Sequence, residues 1–353
     1  MLVTLAALVI LLAGLKAAEE LLVPLVFAGF LAILTAPAVL WFRQRGWPAW
    51  LGVSLVVVLV LIGLVGLGTV FGGSLNAFIA RVPRYQDRLN ASLTEYSARL
   101  AQFGVDVSLT DLREMVNPSA AVNVAAELVS QFASILSDTV LIILTMAFVL
   151  LEVAGLPRKL RRAIGNPDAD LSRYSNLIEK VKHYVVIKTY LSAALGVCVG
   201  LFVWILGVDF PVLWGLVAFF LNYIPNVGAI AAAVPPVLLA WIEYGFGRAV
   251  AVTSVYVVAH LLIGNVIEPR LLGRHMRLSP LVVFLSLVFW GWLWGPMGML
   301  LSVPLTMIVK ILLETSDQFS PVATLLDQPL SQRSPFTPSP PETEVYESNP
   351  SEE

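Results

Sequence analysis

Three stretches of the chain place polar or helix-breaking residues inside almost wholly apolar sequence, and these carry whatever chemistry is available. The first is PVLWGLVAFFLNYIPNVGAIAAAVPPVLLAW (211–241), where Pro225 removes a backbone donor and Gly228 loosens the turn. Asn222 and Asn226 flank that break with amide donors and acceptors. Freed carbonyls and half-helix ends there suit an ion or a small polar solute; the plainer alternative is a proline kink capped by asparagine. The second is HLLIGNVIEPRLLGRHMRLSP (260–280). Asn265 and Glu268 are three residues apart and share a helix face, and Pro269 disturbs the helix beyond them. A carboxylate at membrane depth is costly unless paired or wet. The expected partner of Glu268 is Arg270 or Arg274 at the rim. His260 is a candidate proton relay, although a histidine satisfied by its surroundings is the favoured reading. The third is PLVVFLSLVFWGWLWGPMGMLLSVPLTMIVKIL (280–312). Gly291, Gly295, Pro296 and Gly298 concentrate backbone freedom at its tip, and Trp290, Trp292 and Trp294 surround it. Indoles with an apolar body and one donor suit either a gate or pocket lining, or simple membrane anchoring.

The remaining candidates carry less. Lys188 is expected to snorkel from the start of its span. Asp209 and Glu243 fall at an outer rim, Asp138 early in its span, and Glu19 and Glu20 in a short outer loop. No GxGxxG, P-loop, HExxH or Ser–His–Asp arrangement occurs in a workable context, so neither an enzyme nor a bound cofactor is expected. His183, His260 and His275 are too scattered for a metal site, and Cys198 is the single cysteine.

The elements that position these residues follow from composition. Of 353 residues, 58% are hydrophobic and 13% charged, with a net charge of −2. Soluble domains carry about 25% charged residues, so a soluble enzyme and a disordered chain are both excluded, and no basic excess points to nucleic acid. Apolar runs at 21–42, 51–73, 133–153, 186–208 and 246–267 reach the roughly 20 residues a spanning helix needs. The run at 2–18 lacks a basic leader and reads as a retained first span. Four shorter runs, at 211–224, 227–243, 281–293 and 298–313, form two pairs, each interrupted by Pro and Gly.

Basic residues set the orientation. Arg43 and Arg45, the cluster from Arg158 to Lys182, and Arg270, Arg274 and Arg277 mark cytoplasmic loops and leave both termini cytoplasmic. The two short pairs then enter from opposite faces and flank 246–267, a recurrent pointer to a transport site. The expected class is an all-α integral membrane protein with about 8 membrane segments, two of them Pro/Gly-broken helical hairpins, plus a helical extracytoplasmic insertion. Residues 1–73 form scaffold spans and 74–132 the insertion. Residues 133–185 are a span with a basic loop, 186–315 a transport unit, and 316–353 a disordered acidic tail. Within the insertion, Tyr85, Leu89, Leu93, Tyr96, Leu100 and Phe103 form one apolar stripe, suited to packing on another helix, another subunit or the membrane surface. An amphipathic helix is expected over 119–132.

The strings NYIPNVGAIAAAVPPVLLA (222–240), GNVIEPRLLG (264–273) and LSPLVVFLSLVFWGWLWGPMGMLLSVPLTMIVK (278–310) resemble the autoinducer-2 exporter family of multi-pass bacterial membrane proteins. The resemblance extends in outline over residues 1–315. It implies an inner-membrane transporter and a homo-oligomer, pentameric by the same token. It also implies either export of the signal autoinducer-2 or sodium/proton antiport. From the two broken hairpins and the span between them, the expected binding residues are Asn222, Pro225, Asn226, Gly228, Asn265, Glu268, Pro269, Trp290, Trp292, Trp294, Gly295 and Pro296. Their partners would be a small polar solute or cation and the lipid bilayer, with alternating access as the mechanism. A non-transporting membrane scaffold is the reading from another class, and it has no need of two broken hairpins.

Overall fold

The computed structural model describes residues 2–102, 139–153, 172–272 and 278–315, and every regular element among them is helical. In chain order these are α1 (Leu2–Ala17), α2 (Glu19–Gln44), α3 (Ala49–Gln102), α4 (Thr139–Val153), α5 (Ser172–Ile205), α6 (Pro211–Leu221) and α7 (Val227–Tyr244). Then follow α8 (Phe246–His260), a π-helical stretch (Leu261–Ile267), α9 (Glu268–Leu272) and α10 (Pro280–Thr315). Among the described residues, six helical stretches are long and apolar enough to cross a membrane, and α4 and α6 are shorter apolar helices. Large apolar side chains point outward, Val140, Phe148 and Trp204 among them. Such a surface needs lipid around it, and helices satisfy their backbone without water. The chain is an all-α, multi-pass membrane protein.

Some boundaries differ from expectation. Glu19 and Glu20 do not fill a loop: α2 begins at Glu19, so both carboxylates occupy its first turn, where the helix dipole favours anions. The stripe-bearing segment from 84 to 102 is no separate helix but the continuation of α3. That helix runs unbroken for 54 residues, about 80 Å at the α-helical rise. The helix expected from Asp170 onwards is present as the start of α5 at Ser172, and it runs straight on into the span expected from 186. Phe103, the helix expected over 119–132, Asp138, the basic cluster at 158–162, residues 273–277 and the tail lie outside the described residues.

Two apolar clusters organise the bundle. In one, α2, α3 and α4 pack through Ala28, Leu31, Ala32, Val53, Val56, Ile142 and Met146. The other is larger and centres on α5, with Val185, Leu195, Val199 and Val203 packed among residues of α3, α6, α7, α8 and α10. Helices α5 and α6 approach each other closely. A Cβ built on Gly196 would lie 2.6 Å from the Gly215 carbonyl oxygen, and one on Gly215 would lie 2.7 Å from the Gly196 oxygen and 3.3 Å from Gly200 Cα. Small residues let two helices touch backbone to backbone, the usual source of helix association within a membrane.

Both interrupted pairs are hairpins. In hairpin 1, α6 and α7 are joined by a tip at Asn222–Asn226, with Asn226 at a left-handed φ of 60°. Its two ends lie on the same part of α3: Asp209 pairs with Arg81 at 2.9 Å, and Glu243 pairs with Arg88 at 2.5 Å and Arg84 at 3.5 Å. The chain therefore enters and leaves at one end of the bundle. In hairpin 2, α10 folds back at Trp294 and Gly295, whose φ is 59°. Trp290 Nε1 donates to Thr306 Oγ1 at 2.9 Å, a contact that sixteen residues of straight helix would hold about 24 Å apart. The tips share one construction. A Cβ on Gly228 would fall 1.8 Å from the Leu221 oxygen, and one on Gly298 would fall 1.9 Å from the Trp290 oxygen. Between the hairpins, Phe246–Leu272 provides 27 residues of helix, about 40 Å, so the two mouths open at opposite ends.

Three outcomes test this fold. Gly228→Ala forces a methyl into a backbone carbonyl and should lower stability by about 1–3 kcal/mol. Gly66→Ala, where nothing lies within 4 Å, should leave the melting temperature of the detergent-solubilised protein unchanged or slightly raised. Cysteines at Gly207 and Phe246, both exposed, should react with an impermeant thiol reagent from the same face of the membrane.

Candidate functional site

The tip of hairpin 1 meets α8 and α5 around a cavity of ≈ 20 Å³, lined by Leu195, Ala218, Asn222, Gly228, Ala229, Ala232, Tyr256 and His260. That space accommodates a single water-sized group. Tyr256 and His260 are four residues apart on α8 and so share a face. The Tyr256 hydroxyl and His260 Nδ1 are buried and have no hydrogen-bond partner among the described residues. The reading of His260 as a satisfied histidine is thus corrected. Its ring is half-buried and lies against Gly264, where a Cβ would come within 3.2 Å of it.

The backbone changes register immediately after His260. Over Leu261–Ile267 it is π-helical, and the Glu268 N–H donates to the Ile263 carbonyl five residues back. Proline has no N–H, and in an α-helix its ring strikes the carbonyl four residues earlier. For Pro269 that carbonyl belongs to residue 265, within the wider turn. The disturbance expected at Pro269 therefore begins eight residues before it. Single π turns of this kind recur at functional sites.

Below the cavity, one face of α5 carries a seam of polar bonds to its neighbours. Asn222 Nδ2 donates to Ser192 Oγ at 2.9 Å, and the Tyr223 hydroxyl donates to Thr189 Oγ1 at 2.7 Å. Lys188 Nζ donates to both oxygens of Glu268, at 2.7 and 2.8 Å. Lys188 does not snorkel: its side chain is only 6% exposed and that of Glu268 18%. This also corrects the expected partner of Glu268. Arg270 is exposed and Arg274 lies outside the described residues. Two opposite charges in low dielectric hold each other where neither would be tolerated alone.

The expected site residues divide among several places. Asn222 and Gly228 line the cavity. Pro225 and Asn226 form the tip beside it, Pro225 half-buried and Asn226 exposed. Glu268 anchors the seam. Asn265 and Pro269 are exposed on the π stretch and α9. None of the three tryptophans lines the cavity. Trp290 and Trp294 are buried with Leu293 against Leu15, Leu22, Val23 and Val26 of α1 and α2. Trp294 Nε1 donates to the Leu15 carbonyl at 3.3 Å, and Lys16 Nζ sits 4.6 Å from the Trp292 ring centroid while donating to the Trp292 carbonyl. Gly295 and Pro296 turn the chain at this second tip, which is seated on α1 and α2. The cavity belongs to hairpin 1.

Sequence reasoning passed over Ser192, Thr189, Tyr223, Tyr256 and the glycines at 196, 200 and 215. For Gly196 and Gly200 a local signal existed: GVCVG is a G-x-x-x-G spacing within an apolar helix. Among the described residues no three His, Cys, Asp or Glu side chains gather closely enough to hold a metal ion.

The ion pair makes its own prediction. Lys188→Met leaves a buried carboxylate without its counter-charge and should cost about 3–5 kcal/mol. The double variant Lys188→Met/Glu268→Gln should recover most of that loss, as read by thermal unfolding in detergent.

The described residues thus combine two interrupted hairpins with a small cavity beside a π turn. Residues 5–318 match the model of the AI-2E family transporter. The chain is 39% identical over 324 residues to the AI-2 transport protein TqsA of Escherichia coli (strain K12), covering 92% of this chain and 94% of that protein. It is 38% identical over 325 residues to the protein YhhT of the same organism, covering 92% and 93%. A more distant relative is YrrI of Bacillus subtilis (strain 168), 24% identical over 308 residues, covering 84% and 86%. With one family model spanning nearly its whole length and relatives matched almost end to end, the chain belongs to the AI-2E family of transporters.

Proposed function

We propose that this protein exports a small polar solute across the bacterial inner membrane, with autoinducer-2 the first candidate, and that it works by alternating access. The observation that carries this reading is the cavity at the tip of hairpin 1. There two buried polar atoms, Tyr256 Oη and His260 Nδ1, await a hydrogen-bond partner beside an interrupted helix. Lipid cannot satisfy such groups, whereas a passing polar solute can. The name carried by TqsA supports autoinducer-2 as the solute. The distribution of arginine and lysine supports a cytoplasmic position for both termini. Assembly as a homo-oligomer, pentameric in this reading, follows the family resemblance.

At ≈ 20 Å³ the cavity is far smaller than a sugar-sized solute, so transport requires one side to open. Ion pairs close both ends. Towards the mouth of hairpin 1, Arg81, Arg84 and Arg88 of α3 hold Asp209 and Glu243. Towards the other end, Lys188 holds Glu268. Parting one set while the other stays closed is the elementary requirement of alternating access. Because α5 and α6 touch through glycines with no room to slide apart, they move as one body.

A second reading, cation/proton antiport, is favoured by one observation: Glu268 is a carboxylate held at depth by a lysine, and a cation could compete for it. The readings separate in proteoliposomes. Under signal export, the reconstituted protein moves autoinducer-2 without a sodium gradient, and Glu268→Gln retains part of that flux. Under antiport, sodium-driven proton movement is seen and Glu268→Gln abolishes it. Cation flux without any movement of the signal would refute export.

A further inference from the structure

We propose that the cavity between the hairpin 1 tip and α8 is a hydroxyl-recognition subsite. It holds one neutral oxygen between Tyr256 and His260 and so selects uncharged, hydroxyl-bearing solutes over ions. The inference deepens the export reading and rests on it for its place in a transport path, but its chemistry comes from the lining alone.

The lining supplies three polar side chains, the amide of Asn222, the phenol of Tyr256 and the imidazole of His260, among Leu195, Ala218 and small residues. None is a carboxylate or an ammonium. The nearby formal charges, Lys188 and Glu268, are engaged with each other through two hydrogen bonds of 2.7 and 2.8 Å. Asn222 Nδ2 is likewise engaged, donating to Ser192 at 2.9 Å. The lining atoms that are buried without a partner among the described residues are one phenolic hydroxyl, on a residue 7% exposed, and one imidazole nitrogen. A phenol both donates and accepts, and a neutral imidazole nitrogen does one or the other according to its tautomer. Together they fit a group that also does both. A hydroxyl does, whereas a bare cation would need several oxygen donors that this lining lacks. The space of ≈ 20 Å³ admits one such oxygen. Leaving buried polar atoms unmatched is expensive, so a site of this kind rejects analogues lacking the hydroxyl far more strongly than a purely apolar pocket would.

Two features hold the pair in place. Tyr256 and His260 are one turn apart on α8, so a single oxygen can lie near both. The π turn follows directly, with Gly264 against the imidazole ring. A larger residue at 264 would come within 3.2 Å of that ring and displace it. The shared chemistry has two sources, a water when the protein rests and a hydroxyl of the solute when it is loaded.

The test uses the full-length protein in lipid nanodiscs with ¹⁵N-labelled histidine. The probes are autoinducer-2, glycerol, ribose and sodium chloride. The expected result is that at least one neutral hydroxyl solute shifts the His260 Nδ1 resonance in a saturable way, that sodium chloride does not, and that Tyr256→Phe weakens that binding about tenfold. Tyr256→Phe removes one buried oxygen and keeps the ring, so the variant should fold with an unchanged or higher melting temperature. A shift with glycerol or ribose but not with autoinducer-2 supports the subsite and removes the signal from the export reading. If no hydroxyl solute moves the resonance, the cavity is a water site only and the proposal fails. It fails equally if Tyr256→Phe binds as the wild type does, or if sodium shifts His260 as strongly as the neutral solutes.

Discussion

Hydrocarbon offers no hydrogen bonds, and this one deficiency of the solvent governs the molecule. A backbone crossing it must bond to itself, which is why every described element is a helix. Where the helix stops short, at Asn222–Asn226 and at Trp294–Gly295, the freed groups need other company. The two tips solve this in the same manner. A residue at a left-handed φ reverses the chain, and a glycine three residues or fewer further on lets the returning arm press against a carbonyl of the descending one. The interruption is thereby sealed by protein, with a small cavity carrying three polar side chains left beside hairpin 1.

Charge obeys the same solvent. Lys188 and Glu268 are tolerable at depth because each is the other's solvation. Arg81, Arg84 and Arg88 perform the corresponding task for Asp209 and Glu243 at the far end, where Arg81 is also joined in binding Asp209 by the Tyr85 hydroxyl at 3.1 Å. The bundle is thus apolar in its middle and pinned by ions towards each mouth. Between the pins lie the glycine-tight crossing of α5 on α6 and the cavity, so whatever loosens one pin alters access to the same central space.

Local breaks were legible in the amino-acid order because their causes are local. Pro225, Gly228, Gly295 and Pro296 pair a proline with a nearby glycine midway through apolar runs, and that combination announced the hairpins. Composition announced the membrane. The partner of Glu268 was not legible: Lys188 lies 80 residues away, and nearby arginines offered a more obvious match. Nor was the seat of the tryptophans, since Trp294 reaches Leu15 across 279 residues. His260 looked like an ordinary core histidine because a hydrogen-bond partner is the usual fate of a buried imidazole. Only the spatial arrangement around it reveals otherwise. The α5–α6 crossing is a different case, for its G-x-x-x-G spacing was on view in the sequence and carried its own physical meaning.

The length of α3 has a mechanical consequence. A single helix of 54 residues is stiff along its axis, and the arginines that grip both ends of hairpin 1 stand partway along it. Bending or rotating its distal end therefore swings those arginines together, as a lever moves all points beyond its fulcrum. Whatever engages that distant end acts directly on the entrance, without any signal having to pass through the apolar interior.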